Sequence, residues 1–181
     1  MRTRRFSCTI AVLAALAAGC GDAAASEDTV AWTNGVCGAL SGFTRAASSG
    51  PQVDPADPVA SVEGVRSYLG STSEEVQRSL SALDAVGPSP VEGGDQYVAR
   101  LQEALQSIRS GFDSARTQLA AVDTTNPGAL ATAFPAAVAP LQGLQDLPDP
   151  TEGLRENEEL RTAAEQAPAC RELRGTDTPT G

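Results

Sequence analysis

Residues Asp95–Val122 read DQYVARLQEALQSIRSGFDSARTQLAAV. Apolar side chains recur here at intervals of three and four residues without a break, at Val98, Leu101, Leu105, Ile108, Phe112, Ala115, Leu119 and Val122. This spacing places them on one face of an α-helix, which at 1.5 Å per residue would be about 42 Å long. A repeat sustained over four heptads predicts packing at a small crossing angle against another helix.

The stretch before it supplies a second helix of similar length. Residues Pro58–Val86 carry the same spacing at Val62, Val65, Leu69, Thr72, Val76, Leu80, Leu83 and Val86. We predict one helix over this range, kinked at Gly70 and ended by Gly87-Pro88-Ser89-Pro90. A four-heptad repeat also fits an intermolecular coiled coil, but two apolar stripes of matching length in one chain favour an antiparallel hairpin.

A helix is also predicted before this hairpin, over Asp28–Ala47. Ser26 is a suitable N-cap, and acidic residues follow in the first turn, where the helix dipole favours them. Gly35, Gly38 and Gly42 recur at helical spacing, although each costs about 1 kcal/mol relative to alanine in a helix. This glycine face predicts the close approach of a neighbouring helix, with a ligand groove as the alternative.

Prolines shape the helix predicted after the hairpin. Asn126-Pro127 opens it, because proline is preferred at the first helical position. Pro135 and Pro140 each remove a backbone hydrogen bond and bend the axis, so we expect a kinked helix that wraps around the hairpin and ends at Pro148. Its apolar positions are Leu130, Phe134, Val138, Leu141 and Leu144.

The end of the chain completes the predicted domain. Residues Thr151–Gln166 form a charged helix, which Pro168 ends, and a final turn carries Cys170 and Leu173. Because no alternating strand pattern occurs, the sequence predicts an all-α fold, an antiparallel helical bundle of four to five helices, one of them Pro-kinked. The bundle domain spans residues 28–173, and residues 174–181 are expected to be a disordered tail.

The first nineteen residues are typical of a secretory leader. Arg2, Arg4 and Arg5 precede an apolar stretch of about 13 residues, Phe6–Ala18, which is too short to span a bilayer. The Arg4-Arg5 pair also fits the twin-arginine export route. Adjacent arginines are common in any such leader, so the general secretory route is favoured.

The end of the leader, Leu16-Ala17-Ala18-Gly19-Cys20, resembles the lipobox of bacterial lipoproteins. In that family the cysteine thiol is acylated, the leader is cut before the cysteine, and the new amino terminus stays at the membrane. The family favours leucine where this chain has Ala17. The resemblance implies a signal peptide over 1–19, a lipid on Cys20 and a tether over 20–27. The alternative is a secreted protein cleaved near Ala18, with a free thiol at Cys20.

Two cysteines remain once Cys8 leaves with the leader and Cys20 carries lipid. Cys37 lies near the start of the mature domain and Cys170 near its end, and an exported chain with two such thiols usually pairs them. The closed loop of about 130 residues would contribute roughly 4–5 kcal/mol to stability. Two buried free thiols are the alternative. Trp32 lies about one helical turn from Cys37 and is expected to pack over the disulfide.

The composition excludes much reactive chemistry. The chain has 13 arginines but no lysine and no histidine, so it lacks Ser-His and Cys-His nucleophiles, imidazole metal ligands and Schiff bases. Its net charge of −10 opposes nucleic-acid binding. Asp146, Asp149 and Glu152 lie near Glu156, Glu158 and Glu159, but the calcium-loop spacing is missing and solvated acidic surface is favoured. A paired-carboxylate glycosidase would need more aromatic residues than 4%. No cofactor is expected.

The leader, the alanine-rich composition and the flanking cysteines together resemble the small secreted lipoproteins of actinobacteria, a resemblance that implies no activity. We expect a non-catalytic cell-envelope lipoprotein, held by its anchor on the extracytoplasmic face of the cell membrane. Its expected role is to bind or scaffold another envelope protein. The alternative is a carrier or sensor of a small apolar ligand or lipid in the bundle core, where the kinked stretch Phe134–Leu141 would let the helices splay.

Overall fold

The structure is a computed structural model that describes residues 25–54, 56–126, 128, 135, 139 and 157–176. These residues form five helices: α1 (Glu27–Ser49), α2 (Pro58–Val86), α3 (Gly94–Ala120), α4 (Glu158–Gln166) and α5 (Pro168–Thr176). No strand occurs in these ranges, and the predicted all-α bundle is confirmed. The Pro-kinked helix predicted after Asn126 lies outside the described residues, apart from isolated positions.

Helices α2 and α3 form the predicted antiparallel hairpin. Ser73 donates a hydrogen bond to Asp113 Oδ1 at 2.9 Å, and Gln102 donates one to Asp84 Oδ1 at 2.6 Å. Residue numbers therefore rise along α2 in the direction in which they fall along α3, so the two helices are antiparallel. Gly93, which precedes α3, has a φ of +81°, a left-handed conformation that suits glycine at the reversal of the chain.

The predicted apolar stripes of the hairpin form its core. One buried cluster lies towards the α2–α3 turn and combines residues of four helices: Trp32, Val36, Val76, Leu83, Tyr97, Leu101, Leu105 and Leu160. A second lies towards the other end of the hairpin and contains Val62, Val65, Leu69, Phe112, Ala115 and Leu119. Each fully buried leucine or valine contributes about 1.5–3 kcal/mol, so these clusters carry most of the stability of the hairpin.

Helix α1 packs antiparallel to α2. Its first turn is capped by Ser26, whose Oγ accepts a hydrogen bond from Thr29 N at 3.1 Å. At one end the indole N–H of Trp32 donates to Gly87 O at 3.1 Å. At the other end the Tyr68 hydroxyl donates to Ala47 O at 3.1 Å. The helix begins at Glu27, so the last residue of the predicted tether is helical.

Only part of the predicted glycine face serves helix packing. A Cβ placed on Gly35 would lie in van der Waals contact with Val86, and one on Gly42 would lie 2.8 Å from the carboxylate of Glu75. A Cβ on Gly38 would meet nothing within 4 Å. Close approach to α2 therefore involves two of the three glycines, because Gly38 points away from the hairpin.

Helices α4 and α5 pack against α1 and differ from the prediction at their ends. Asn157 is extended and caps α4 by accepting a hydrogen bond from Leu160 N at 3.0 Å, so this helix begins at Glu158 and not at Thr151. Residues 151–156 lie outside the described part of the chain. Helix α5 starts at Pro168, and its Arg174 donates to Ala164 O at 3.2 Å. Residues 174–176, predicted as disordered tail, therefore belong to a helix.

The disulfide between Cys37 and Cys170 is present and joins α1 to α5, with 5.0 Å between the two Cα atoms. Both cysteines are buried, and Ala164 and Ala167 pack around them. The expected position of Trp32 is wrong, however. Its indole donates a hydrogen bond to Gly87 O and packs in the cluster of the hairpin core. It does not belong to the cluster around the disulfide.

Candidate functional site

Several acidic side chains of the described helices form hydrogen bonds and ion pairs with their neighbours. Among the described residues, no group of three or more His, Cys, Asp or Glu side chains is placed to hold a metal ion. Glu159 accepts a hydrogen bond from the Thr29 hydroxyl at 3.0 Å, which ties α4 to α1. Glu158 lies 3.8 Å from Arg161 within α4. Asp146, Asp149, Glu152 and Glu156 lie outside the described residues.

Among the described residues, the carboxylate of Asp123 has a shifted pKa with a local cause. The side-chain hydroxyl of Thr125 donates to Asp123 Oδ1 at 2.6 Å, and the backbone N–H of Thr125 donates to the same oxygen at 2.9 Å. Both bonds stabilise the ionised carboxylate and lower the pKa of Asp123. The arrangement organises the turn after α3 and marks no reactive group.

A groove of about 660 Å³ runs between α2 and α3 on the outer side of the hairpin. It lies where Gly70 carries no side chain. A Cβ at this position would lie 3.3 Å from Nη1 of Arg116 and 3.7 Å from its Cδ, so the Arg116 side chain lies across the glycine. The other polar residues that line the groove are Glu63, Arg66, Ser67, Ser71, Glu74 and Thr117.

The two arginines that line this groove differ in their partners. Arg66 pairs with Glu63 at 3.1 Å, and its Nε is buried without a hydrogen-bond partner. Glu74 lies 3.5 Å from Arg78, the next cation along α2. Arg116 has no acidic partner within 4 Å among the residues described. Arg116 is therefore the cation of the groove that is available to a ligand.

The hydroxyl groups of the groove offer oxygen lone pairs. Ser71 donates its hydroxyl hydrogen to Tyr68 O at 3.1 Å, and Thr117 donates its own to Asp113 O at 2.8 Å. Their hydrogens are thus used within the helices, and the oxygens remain as acceptors. The groove combines a guanidinium donor with hydroxyl acceptors, and its described lining shows no nucleophile activated by a base.

The loop before α2 is held against the first turns of that helix. Ser61 Oγ accepts from Asp54 N at 2.8 Å and donates to Asp54 O at 2.7 Å. The carbonyl group of Gln52 fits against Gly64, where a Cβ would overlap its oxygen. Over the described ranges, Val53 (59% exposed) and Val59 (49% exposed) are the large hydrophobic residues left in solvent.

A second, smaller groove of about 360 Å³ lies where the start of α1 meets the junction of α4 and α5. Its apolar lining comes from Ala25, Val30, Ala31 and Pro168. Asn34 also lines it and accepts a hydrogen bond from Ala169 N at 2.9 Å. Ala25 is the first described residue, so this groove adjoins the predicted tether.

The structure brings together only some of the residues singled out in the sequence. Cys37 and Cys170 are bonded, whereas Cys20 and the Phe134–Leu141 stretch lie outside the described residues. The Arg116 groove was missed, although Gly70, predicted to kink α2, was a signal. In the structure α2 is continuous through Gly70, whose missing side chain makes room for Arg116.

No helix in the described portion of the chain is both long and apolar enough to cross a membrane. Comparison with family models, with curated proteins and with solved structures finds no match for this chain.

Proposed function

We propose that this protein is a lipid-anchored, non-catalytic lipoprotein of the cell envelope that binds another envelope protein. The buried disulfide between Cys37 and Cys170 is the observation that carries the proposal, because such bonds persist in exported proteins and are rare in reducing compartments. An exported bundle agrees with the leader. The lipobox-like residues before Cys20 then supply the anchor.

A binding role fits the chemistry of the described side chains better than catalysis does. Their polar groups cap helices or join one helix to the next, as Thr29 does with Glu159 and Ser73 with Asp113. The groove between α2 and α3 carries donors and acceptors without an activated nucleophile. A rigid bundle that presents such a groove is suited to recognition.

The tether keeps the start of the bundle close to the membrane. Ser26, the N-cap of α1, lies only six residues after Cys20, and an extended chain of that length reaches about 20 Å. The start of α1 is therefore near the lipid surface. Helix α1 has 23 residues and is about 35 Å long, so an α1 directed away from the membrane would carry its other end and the loop before α2 well beyond the lipid headgroups.

Replacing the anchoring cysteine tests the proposal. Cys20→Ala is expected to move the protein from the membrane fraction to the medium, because no acyl chain can then be attached. Cys8→Ala is the matched control, since this cysteine lies in the leader, and it should leave the protein in the membrane fraction. Membrane retention of Cys20→Ala, measured by fractionation and immunoblotting, would contradict the anchor.

A carrier of a small apolar ligand or lipid is the second candidate function. The groove whose apolar lining comes from Ala25, Val30, Ala31 and Pro168, beside the polar Glu27, Asn34 and Gln166, favours it. Native mass spectrometry of the full chain released from membranes should then show a bound hydrophobic molecule. Ala31→Trp should displace that molecule by filling the groove. A chain without bound ligand would count against this candidate.

A further inference from the structure

We propose that the disulfide between Cys37 and Cys170 is a redox switch that controls the docking of α5. While the bond is intact, α5 is held against α1. When the bond is reduced, α5 leaves the bundle and helices α1–α4 stay folded. The inference goes beyond the proposed function, because it concerns a conformational change of the bundle and does not depend on the lipid anchor.

Small side chains surround the bond that holds α5. The buried members of this cluster are the two cysteines, Ala164 and Ala167. An alanine buries much less apolar surface than the leucine, valine and aromatic side chains of the hairpin core. The hydrophobic contribution of this cluster to the attachment of α5 is therefore small.

The described polar contacts of α5 with the bundle are also modest. The backbone N–H of Ala169 donates to Asn34 Oδ1 of α1 at 2.9 Å, and Arg174 donates to Ala164 O of α4 at 3.2 Å. Helix α5 has nine residues, too few to be stable as an isolated helix. The covalent bond adds to these contacts a link that thermal motion does not break, and we infer that docking of α5 depends on it.

Helix α4 is equally short but is attached in a different way. Leu160 is 1% exposed and belongs to the hairpin core cluster that includes Trp32 and Leu101. Asn157 caps the helix and donates to Glu92 O in the turn between α2 and α3. None of these contacts involves the disulfide. Helix α4 is therefore expected to stay docked when the bond is broken.

The junction of α4 and α5 gives a point at which the two helices can separate. Ala167 is extended, with a φ of −69° and a ψ of 121°, and its N–H still donates to Ala163 O of α4. Pro168 then begins α5 and has no backbone N–H to donate. A change in ψ of Ala167 therefore moves α5 away and leaves the backbone hydrogen bonds of α4 in place.

Release of α5 uncovers apolar surface on the first half of α1. Cys37 and Ala167 are at most 7% exposed in the oxidised bundle, and both pack against Cys170 in one cluster. Val30 packs against the same cluster and also lines the smaller groove, to which α5 contributes Pro168. When α5 moves away with Pro168, this groove opens onto the surface around Cys37. The state of the bond thus controls access to this part of α1.

A dithiol supplies the electrons for the change. One of its thiolates attacks a sulfur of the bond, forms a mixed disulfide with that cysteine and displaces the other cysteine as a thiolate. The second thiolate of the reductant then attacks the mixed disulfide, so the remaining cysteine leaves and the reductant becomes a disulfide. Two electrons pass to the protein, and its two thiolates take up the protons that the dithiol lost. Because both cysteines are buried, the attack follows a local opening of α5.

Hydrogen exchange of the purified full chain, with and without dithiothreitol, tests the switch. In the reduced chain the amides of α5 should exchange within about tenfold of the rates of an unstructured peptide, because a helix of this length is marginal alone. The amides of α2, α3 and α4 should stay protected at least about a hundredfold. Equal protection of α5 in the oxidised and reduced chains would overturn the switch, and so would a loss of protection in α4 as large as that in α5.

The double variant Cys37→Ala/Cys170→Ala repeats the comparison without a reductant. Its α5 should exchange as in the reduced native chain, and circular dichroism should show that most of the helix content remains. Asn157→Ala is the matched control, since it weakens the attachment of α4 and leaves the disulfide intact. In the oxidised chain it should speed exchange in α4 and keep α5 protected. A double variant that is unfolded throughout, or release of α5 by Asn157→Ala, would contradict the switch.

Alkylation of the reduced native chain measures the uncovered surface directly. Iodoacetamide should modify Cys37 and Cys170 in native buffer within about tenfold of their rates in urea, because an open α5 protects neither thiol. Mass spectrometry of peptides assigns the label to each cysteine. Thiols that react in urea but stay protected in native buffer would show that α5 remains docked after reduction and would overturn the switch.

Discussion

Gly38 and Gly64 both lie within helices, but Gly38 borders open space and Gly64 is packed against the backbone of a loop. A Cβ on Gly38 would meet nothing within 4 Å, because this side of α1 faces away from the hairpin. A Cβ on Gly64 would overlap the carbonyl oxygen of Gln52, a backbone atom that moves only if the whole loop moves. The same substitution should therefore have opposite effects at the two positions.

We predict that Gly38→Ala raises the free energy of unfolding by about 1 kcal/mol, since alanine is the better helix former. Gly64→Ala should lower it by about 1–3 kcal/mol, as overpacking does in tight sites. Urea unfolding followed by circular dichroism measures both. If Gly64→Ala is as stable as Gly38→Ala, the loop before α2 does not pack against Gly64.

Single side chains also show where sequence reasoning reaches its limit. Trp32 was correctly assigned to the apolar face of α1, because that face follows from helical spacing. The residues that Trp32 contacts were not predicted. Its indole N–H donates to the carbonyl group of Gly87, which lies 55 residues away along the chain. Thr29, which bonds to Glu159 130 residues away, was missed for the same reason.

At the scale of the helix, the start of α4 is held by one residue, Asn157. It has nine residues, too few to be stable as an isolated helix. Asn157 caps it through the bond from Leu160 N and also donates through its Nδ2 to Glu92 O at 3.0 Å. This one side chain therefore both starts α4 and holds it against the turn between α2 and α3.

We expect Asn157→Ala to lower the free energy of unfolding by about 1–2 kcal/mol, because both contacts are lost. Asn157→Asp keeps the acceptor for Leu160 N but loses the donor to Glu92, so its loss should be smaller. Chemical unfolding gives the energies, and hydrogen exchange of the Leu160 amide reports on the cap. Equal stability of Asn157→Ala and the native chain would mean that the cap contributes nothing.

The bounds of a helix are predicted well where the residues that determine them are close together in the sequence. The predicted range of α2 agrees with the observed one, and α3 differs by one or two residues at its ends. Both have long apolar stripes bounded by glycine or proline. The start of α4 was placed at Thr151 because the charged residues after it suit a helix. The extended conformation and capping contact of Asn157 interrupt that pattern, and no periodicity signals them.

For the bundle as a whole, the disulfide joins the first described helix to the last. It connects residues separated by 133 positions, so it restricts nearly the entire unfolded domain. In the chain-entropy account, a loop of this length contributes about 4–5 kcal/mol to stability. Helices α4 and α5, which are short, depend on this link and on their packing against α1.

The double variant Cys37→Ala/Cys170→Ala should therefore unfold with a free energy lower by about 4 kcal/mol. Urea unfolding with and without reductant provides the measurement. Reductant should destabilise the native chain to a similar extent and should leave the double variant unchanged. A double variant as stable as the oxidised native chain would show that the bond contributes no stability.

The sequence alone predicted the helical class, the α2–α3 hairpin and the pairing of Cys37 with Cys170. These features depend on the spacing of apolar residues and on the number of cysteines, which can be read along the chain. The groove did not follow from that order. Arg116 crosses Gly70, and Gln52 fits against Gly64, only because antiparallel packing places distant residues at one level of the bundle. Such contacts depend on the register between helices, which the packing of all side chains sets together.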